Sequence, residues 1–95
     1  MLMKAIWNET VIAESDQTIK IEGNHYFPPH SIKKEFFRDS NSTSRCLWKG
    51  KANYLSVSVK GNTNSNCAWF YPQPSFLVKK ITGHVAFWKG VQISD

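Results

Sequence analysis

The sequence is short of several things, and each shortage removes a class of protein. Two cysteines in 95 residues are too few for the disulfide framework that staples small secreted domains. Cys46 and Cys67 could pair only if their strands are neighbours. Neither Cys-x-x-Cys nor His-x-x-x-His occurs, so metal-ligand spacing is missing and no metal or other cofactor is expected. No apolar run approaches the ~18 residues of a membrane-spanning helix, and Met-Leu-Met-Lys-Ala-Ile-Trp turns polar too soon for a secretory leader. The expected setting is therefore cytoplasmic, with free thiols and no membrane partner. Seven acidic residues stand against twelve Lys and Arg, and no two carboxylates share a spacing that implies acid–base partnership. The net charge of +5 favours anionic partners. The cations are scattered, however, as Lys33-Lys34 with Arg38, Lys49 with Lys51, and Lys79-Lys80. That scatter describes a solvated basic surface better than a nucleic-acid arm, so nucleic acid is not expected as a partner.

What the chain does have is rings: four Trp, three Tyr and six Phe. Ninety-five residues support one core, so residues 1–95 are expected to form a single domain. Short alternating segments divided by turn formers predict a mostly β fold. Met3–Trp7 and Thr10–Ala13 read as a hairpin about Asn8-Glu9, and Thr18–Glu22 as a half-buried strand. Pro28-Pro29 takes the chain off a sheet or to its edge. Ser31 begins either one short helix through Phe37 or, from Lys34 to Arg38, another strand. Asp39–Ser44 reads as a polar loop, Arg45–Lys49 as a strand, and Gly50 as a bend before the strand Ala52–Lys60. There Leu55, Val57 and Val59 point to the core and Tyr54, Ser56 and Ser58 away from it. Gly61–Asn66 is the next expected loop, Cys67–Tyr71 the return strand, and His84–Trp88 with Val91–Ile93 a last hairpin about Lys89-Gly90. The count is seven or eight strands with at most one short helix, arranged as an antiparallel sandwich or partly open barrel.

Three dense stretches carry the chemistry: Cys46–Tyr54, Ala68–Pro74 and Gly83–Trp88. Cys46, flanked by Arg45 and near Lys49, is a candidate nucleophile with His84 as its base, although a strand cysteine is commonly just a small buried residue. Lys49-Gly50-Lys51 is too short for a phosphate loop. The better-supported arrangement is an aromatic pocket of Tyr26, Trp48, Lys49, Tyr54, Trp69, Tyr71 and His84. In it Trp48 and Trp69 stack a small planar or anionic ligand, Lys49 neutralises charge, and His84 and the tyrosines donate hydrogen bonds. A protein-interaction module that dimerises through the same rings is the alternative from another class.

Four ordered motifs run through nearly the whole chain: Gly23-x-x-Tyr26-Phe27-Pro28, Cys46-x-Trp48-Lys49-Gly50-x-Ala52-x-Tyr54, Ala68-Trp69-x-Tyr71-Pro72-x-Pro74, and Ile81-x-Gly83-His84-Val85-Ala86-Phe87. Together they resemble the domain-of-unknown-function family 427, sometimes labelled nucleotidyltransferase-like. The resemblance implies a compact antiparallel domain similar to the β-tent architecture, whose relatives include zinc-bearing domains and an aromatic-cage domain that holds cyclic imides. This chain lacks the paired cysteines of the zinc-bearing relatives, and has Asn66-Cys67 where family members often carry an acidic residue and Ala. It offers no carboxylate pair for the magnesium ions that a transferase reaction normally requires.

Overall fold

The computed structural model describes residues 1–95. It contains nine strands: β1 (Met3–Trp7), β2 (Thr10–Ser15), β3 (Ile19–Ile21), β4 (Asn24–Tyr26), β5 (Phe37–Cys46), β6 (Gly50–Val59), β7 (Asn62–Phe70), β8 (Val85–Phe87) and β9 (Gln92–Ser94). They form three antiparallel sheets, ordered β2-β1-β9, β3-β4 and β5-β6-β7-β8. The helical content is three 3-10 segments, Pro29–Ser31, Lys34–Phe36 and Phe76–Ile81. The fold is mostly β and no barrel closes.

The four-stranded sheet is the middle layer, and its two faces bury different residues because strand side chains alternate. Leu55, Val57, Ala68, Val85 and Phe87 face the three-stranded sheet and meet Ala5, Ile12 and Ala13 there. On the opposite face, Ala52, Tyr71 and Ala86 pack with Tyr26, Val78 and Ile81. Tyr26 and Phe27 show how tightly the chain divides between the two. Phe27 exchanges both backbone bonds with Val85 at 2.8 Å, and the two consecutive rings enter opposite cores, each with no exposed surface. Burying rings of this size accounts for much of what a small domain can gain, at roughly 25 cal/mol per Å2 of apolar surface.

Several connections differ from the sequence expectation, each for a local reason. The Asn8-Glu9 hairpin forms as expected, with both residues at positive φ, the conformation of a two-residue primed turn. Asp39–Ser44 is not a loop but the irregular middle of β5. Its Ser and Asn side chains, which signal turns, here serve pairing. Ser40 and Ser42 bond the amide of Asn66, and Asn66 accepts positive φ beside a register shift between β6 and β7. The Gly61–Asn66 loop contracts to a tight Lys60-Gly61 turn, with β7 beginning at Asn62. Arg45–Lys49 is not one strand, since β5 ends at Cys46 and Leu47–Lys49 turn the chain into β6. The segment after Ser31 is neither of the two expected alternatives alone: a 3-10 turn over Lys34–Phe36 leads straight into β5. The last hairpin is absent. Trp88 stays anchored to β7 through the Cys67 carbonyl at 2.9 Å, and β9 crosses to the open edge of β1, pairing Ile93 with Ala5.

Gly50 is the tightest point of the β5–β6 turn. Its φ is +114°, and a Cβ placed on it would lie 3.4 Å from the Gln73 carbonyl oxygen. Gly61 has φ +81° with open space around it. Gly50→Ala is therefore expected to cost about 1–3 kcal/mol, more than Gly61→Ala, because +114° lies much farther than +81° from the left-handed well open to an alanine. Urea unfolding of both variants measures the difference.

A candidate aromatic site on the central sheet

The face of the central sheet away from the three-stranded layer carries a connected set of rings. Tyr54 on β6 and Trp69 on β7 are directly opposite each other in the register, and the small Ala86 opposes Trp69 from β8. Trp88 follows β8 and meets Trp69 edge-on at 6.0 Å between ring centroids and Tyr54 at 6.3 Å. Tyr26 sits behind, edge-on to Trp69 at 6.3 Å and tilted against Tyr71 at 6.5 Å. Tyr54, Trp69, Tyr71 and Trp88 line an open recess of about 190 Å3.

The polar tips of most of these rings are already engaged. Trp88 Nε1 donates to the Asn66 carbonyl at 2.6 Å, Trp69 Nε1 to the Tyr26 hydroxyl at 3.4 Å, and the Tyr54 and Ser44 hydroxyls lie 3.0 Å apart. The recess therefore offers ring faces and edges more than hydrogen-bonding atoms.

Lys49 sits deeper than a surface lysine, 6% exposed. Its ammonium donates to the Glu22 carboxylate and lies 5.3 Å from the centroid of Trp48 and 5.8 Å from that of Tyr71. Glu22 reaches it from the β3–β4 turn, where Glu22 and Gly23 both have positive φ. Burial alone would lower the Lys49 pKa. The Glu22 hydrogen bond and charge, together with the phenols of Tyr26 and Tyr71, outweigh it and raise the pKa above the ordinary lysine value. Burial is also the main reason the Tyr71 phenol is pushed up to about 12, with the Lys49 ammonium opposing the shift.

The residues expected to form one pocket thus fall into separate groups. Tyr54, Trp69 and Tyr71 line the recess, and Tyr26 supports it from inside. Trp48 is at the tip of the β5–β6 turn, 40% exposed, with the Lys49 ammonium over its ring, and does not line the recess. Lys49 is committed to Glu22. His84 stands apart, its Nδ1 3.1 Å from the Thr82 carbonyl oxygen. Trp88 completes the recess and was missed as a site residue, although it lies in the third dense stretch. Its partner Asn66 reads in the sequence as a loop residue and as a departure from the family pattern, neither of which points to Trp88.

The cysteines do not meet. Cys46 packs with the aromatic layer and Cys67 is buried in the main core, on strands separated by β6, and both are free. Burial raises the Cys67 thiol pKa, which makes it a poor nucleophile. No group of three or more His, Cys, Asp or Glu converges as metal ligands would, and no helix is long and apolar enough to cross a membrane. A larger depression of about 320 Å3 opens on the other face of the sheet, with Phe37, Leu55, Phe70 and Val85 among its walls.

With this geometry in place, the comparison with known families is specific. The model described as Domain of unknown function (DUF427) matches residues 2–94. The chain belongs to this family. No curated protein matches it. The family match spans every strand, from β1 through β9, so the recess and the Lys49–Glu22 pair lie within the matched residues.

The pH dependence of stability follows from these groups. An unfolded tyrosine ionises near its ordinary value of 10.0, whereas folded Tyr71 holds its proton to about 12. The folded state therefore binds more protons in that window, and stability falls as pH rises through it. Lys49, also raised, acts in the same direction. Stability is expected to decline from about pH 10 upward, and Tyr71→Phe to make the decline shallower. Urea midpoints measured across this range test it.

Proposed function

We propose that this DUF427 domain binds a small planar ligand by stacking in the recess of Tyr54, Trp69, Tyr71 and Trp88. The observation that carries the reading is the joint one of shape and chemistry: four rings around about 190 Å3, with the indole N–H groups of both tryptophans bonded within the protein. That volume is below the usual range for drug-sized ligands and suits a single ring or a fused pair. Rings of this kind gain about 0.5–1.5 kcal/mol per good contact beyond area burial.

The anionic ligand expected from the sequence is the weaker half of that expectation. Its cation was Lys49, which is buried against Glu22 and does not line the recess. A neutral ring, or one carrying a delocalised positive charge, suits the ring faces better. A catalytic role for Cys46 with His84 gains no support from a His84 ring bonded to its own turn.

A fluorescence screen of uncharged heterocycles, cyclic amides and aromatic cations tests the reading, since Trp69 and Trp88 report directly. Trp88→Ala is expected to weaken any ligand found at least tenfold, while Trp48→Phe leaves its affinity within twofold. Absence of any binder across the three classes, or equal loss from the two variants, would falsify it.

A further inference from the structure

The end of the molecule at the β5–β6 turn exposes large apolar side chains that no other part of the chain covers. Leu47 is fully exposed, Phe76 is 84% and Leu77 65% exposed, and Trp48 adds a partly open indole. These come from two segments fastened together. Ser75 donates its backbone N–H to the Lys49 carbonyl at 2.9 Å and its hydroxyl to the Trp48 carbonyl at 2.7 Å. Val78 and Ile81, both buried, root the second segment in the aromatic layer. The exposed side chains are thus presented by a braced structure.

The surrounding charge is mainly positive, and the carboxylate that reaches this end, Glu22, is taken up by Lys49. Neither Arg45–Lys51 nor Ser75–Thr82 contains an acidic residue. Arg45 and Lys51 are directly opposed across β5 and β6, although like charges so placed repel. They line a polar cleft of about 390 Å3 with Gly50, Asn53, Pro72 and Gln73. Neither has a carboxylate partner, and Lys79 and Lys80 follow Phe76 and Leu77. Gly50 and Gln73 join the cleft to the turn, placing an unneutralised cationic cleft beside the exposed apolar tip.

We propose that this end docks on an anionic lipid bilayer. Leu47, Phe76 and Leu77 would enter the interface, Trp48 would lie at headgroup depth, and Arg45 and Lys51 would hold a headgroup phosphate. Apolar groups with tryptophan at the boundary and cations behind them match the layering of an anionic membrane surface. The net charge of +5 adds long-range attraction of the right sign. The proposal is independent of the aromatic recess, whose lining it does not use.

The test is co-sedimentation of the full chain with phosphatidylcholine vesicles containing or lacking phosphatidylserine. Binding is expected only with phosphatidylserine, weakening steeply as salt rises. Trp48 emission should shift to the blue, a shift lost in Trp48→Phe. Neutralising Arg45 and Lys51 together (R45Q/K51Q) should weaken binding by roughly twenty- to thirtyfold, from about fivefold per cation. Leu47→Ser with Phe76→Ser should abolish the emission shift. All four side chains are on the surface, and circular dichroism verifies folding. Three outcomes overturn the proposal: no sedimentation with either vesicle; inorganic phosphate bound at the cleft without vesicle recruitment; or a concentration-dependent dimer lost in the Leu47/Phe76 variant with no vesicle binding.

Discussion

The contact on which the aromatic layer depends is the buried ion pair of Lys49 and Glu22. It ties the tip of the β3–β4 hairpin to the turn between β5 and β6, two elements that share no backbone pairing. The ammonium is nearly enclosed while its partner's side chain remains about half exposed, so the pair is only partly withdrawn from water. Burying a charge is costly unless its partners are well placed. Here Glu22 supplies the countercharge, and Trp48 and Tyr71 supply ring faces. The same arrangement sets Tyr71 beside the ammonium, where burial keeps its phenol neutral to about pH 12 although the Lys49 charge opposes that shift.

This pair also changes what the site can recognise. A lysine among tyrosines and tryptophans invites the assignment of anion receptor, and sequence alone supports that assignment. Once the ammonium is bonded to Glu22, the remaining chemistry is that of ring faces. Asn66 matters for a related reason. Its positive φ turns β7 locally, its side chain gathers Ser40 and Ser42, and its carbonyl fixes the Trp88 indole. One bulged residue thereby positions a wall of the recess.

Much of the architecture was legible because alternation is a strong signal on a sheet with two buried faces. Leu55, Val57 and Val59 against Tyr54, Ser56 and Ser58 could be read from spacing alone, whereas the pairing of Tyr54 with Trp69 rests on a register that the tight Lys60-Gly61 turn sets. Polar strand residues were harder. Ser40, Ser42 and Asn66 carry turn-forming side chains whose hydrogen bonds are made across strands rather than within a loop. Glu22 and Lys49 lie twenty-seven positions apart on separate turns, and nothing local in either turn announces the other. The crossing of β9 to β1 likewise depends on which sheet edge is open, a property of the assembled fold.

The most direct test of this account is the stability of two single variants and their combination, measured by urea unfolding at neutral pH. Glu22→Ala strands a buried ammonium, whereas Lys49→Met leaves a carboxylate that can turn to water. Glu22→Ala should therefore cost about 2–4 kcal/mol and Lys49→Met less than about 1 kcal/mol, with the double variant close to Lys49→Met. Equal or reversed costs, or simple additivity, would mean that Lys49 is not held as a structural cation and remains free to meet a ligand.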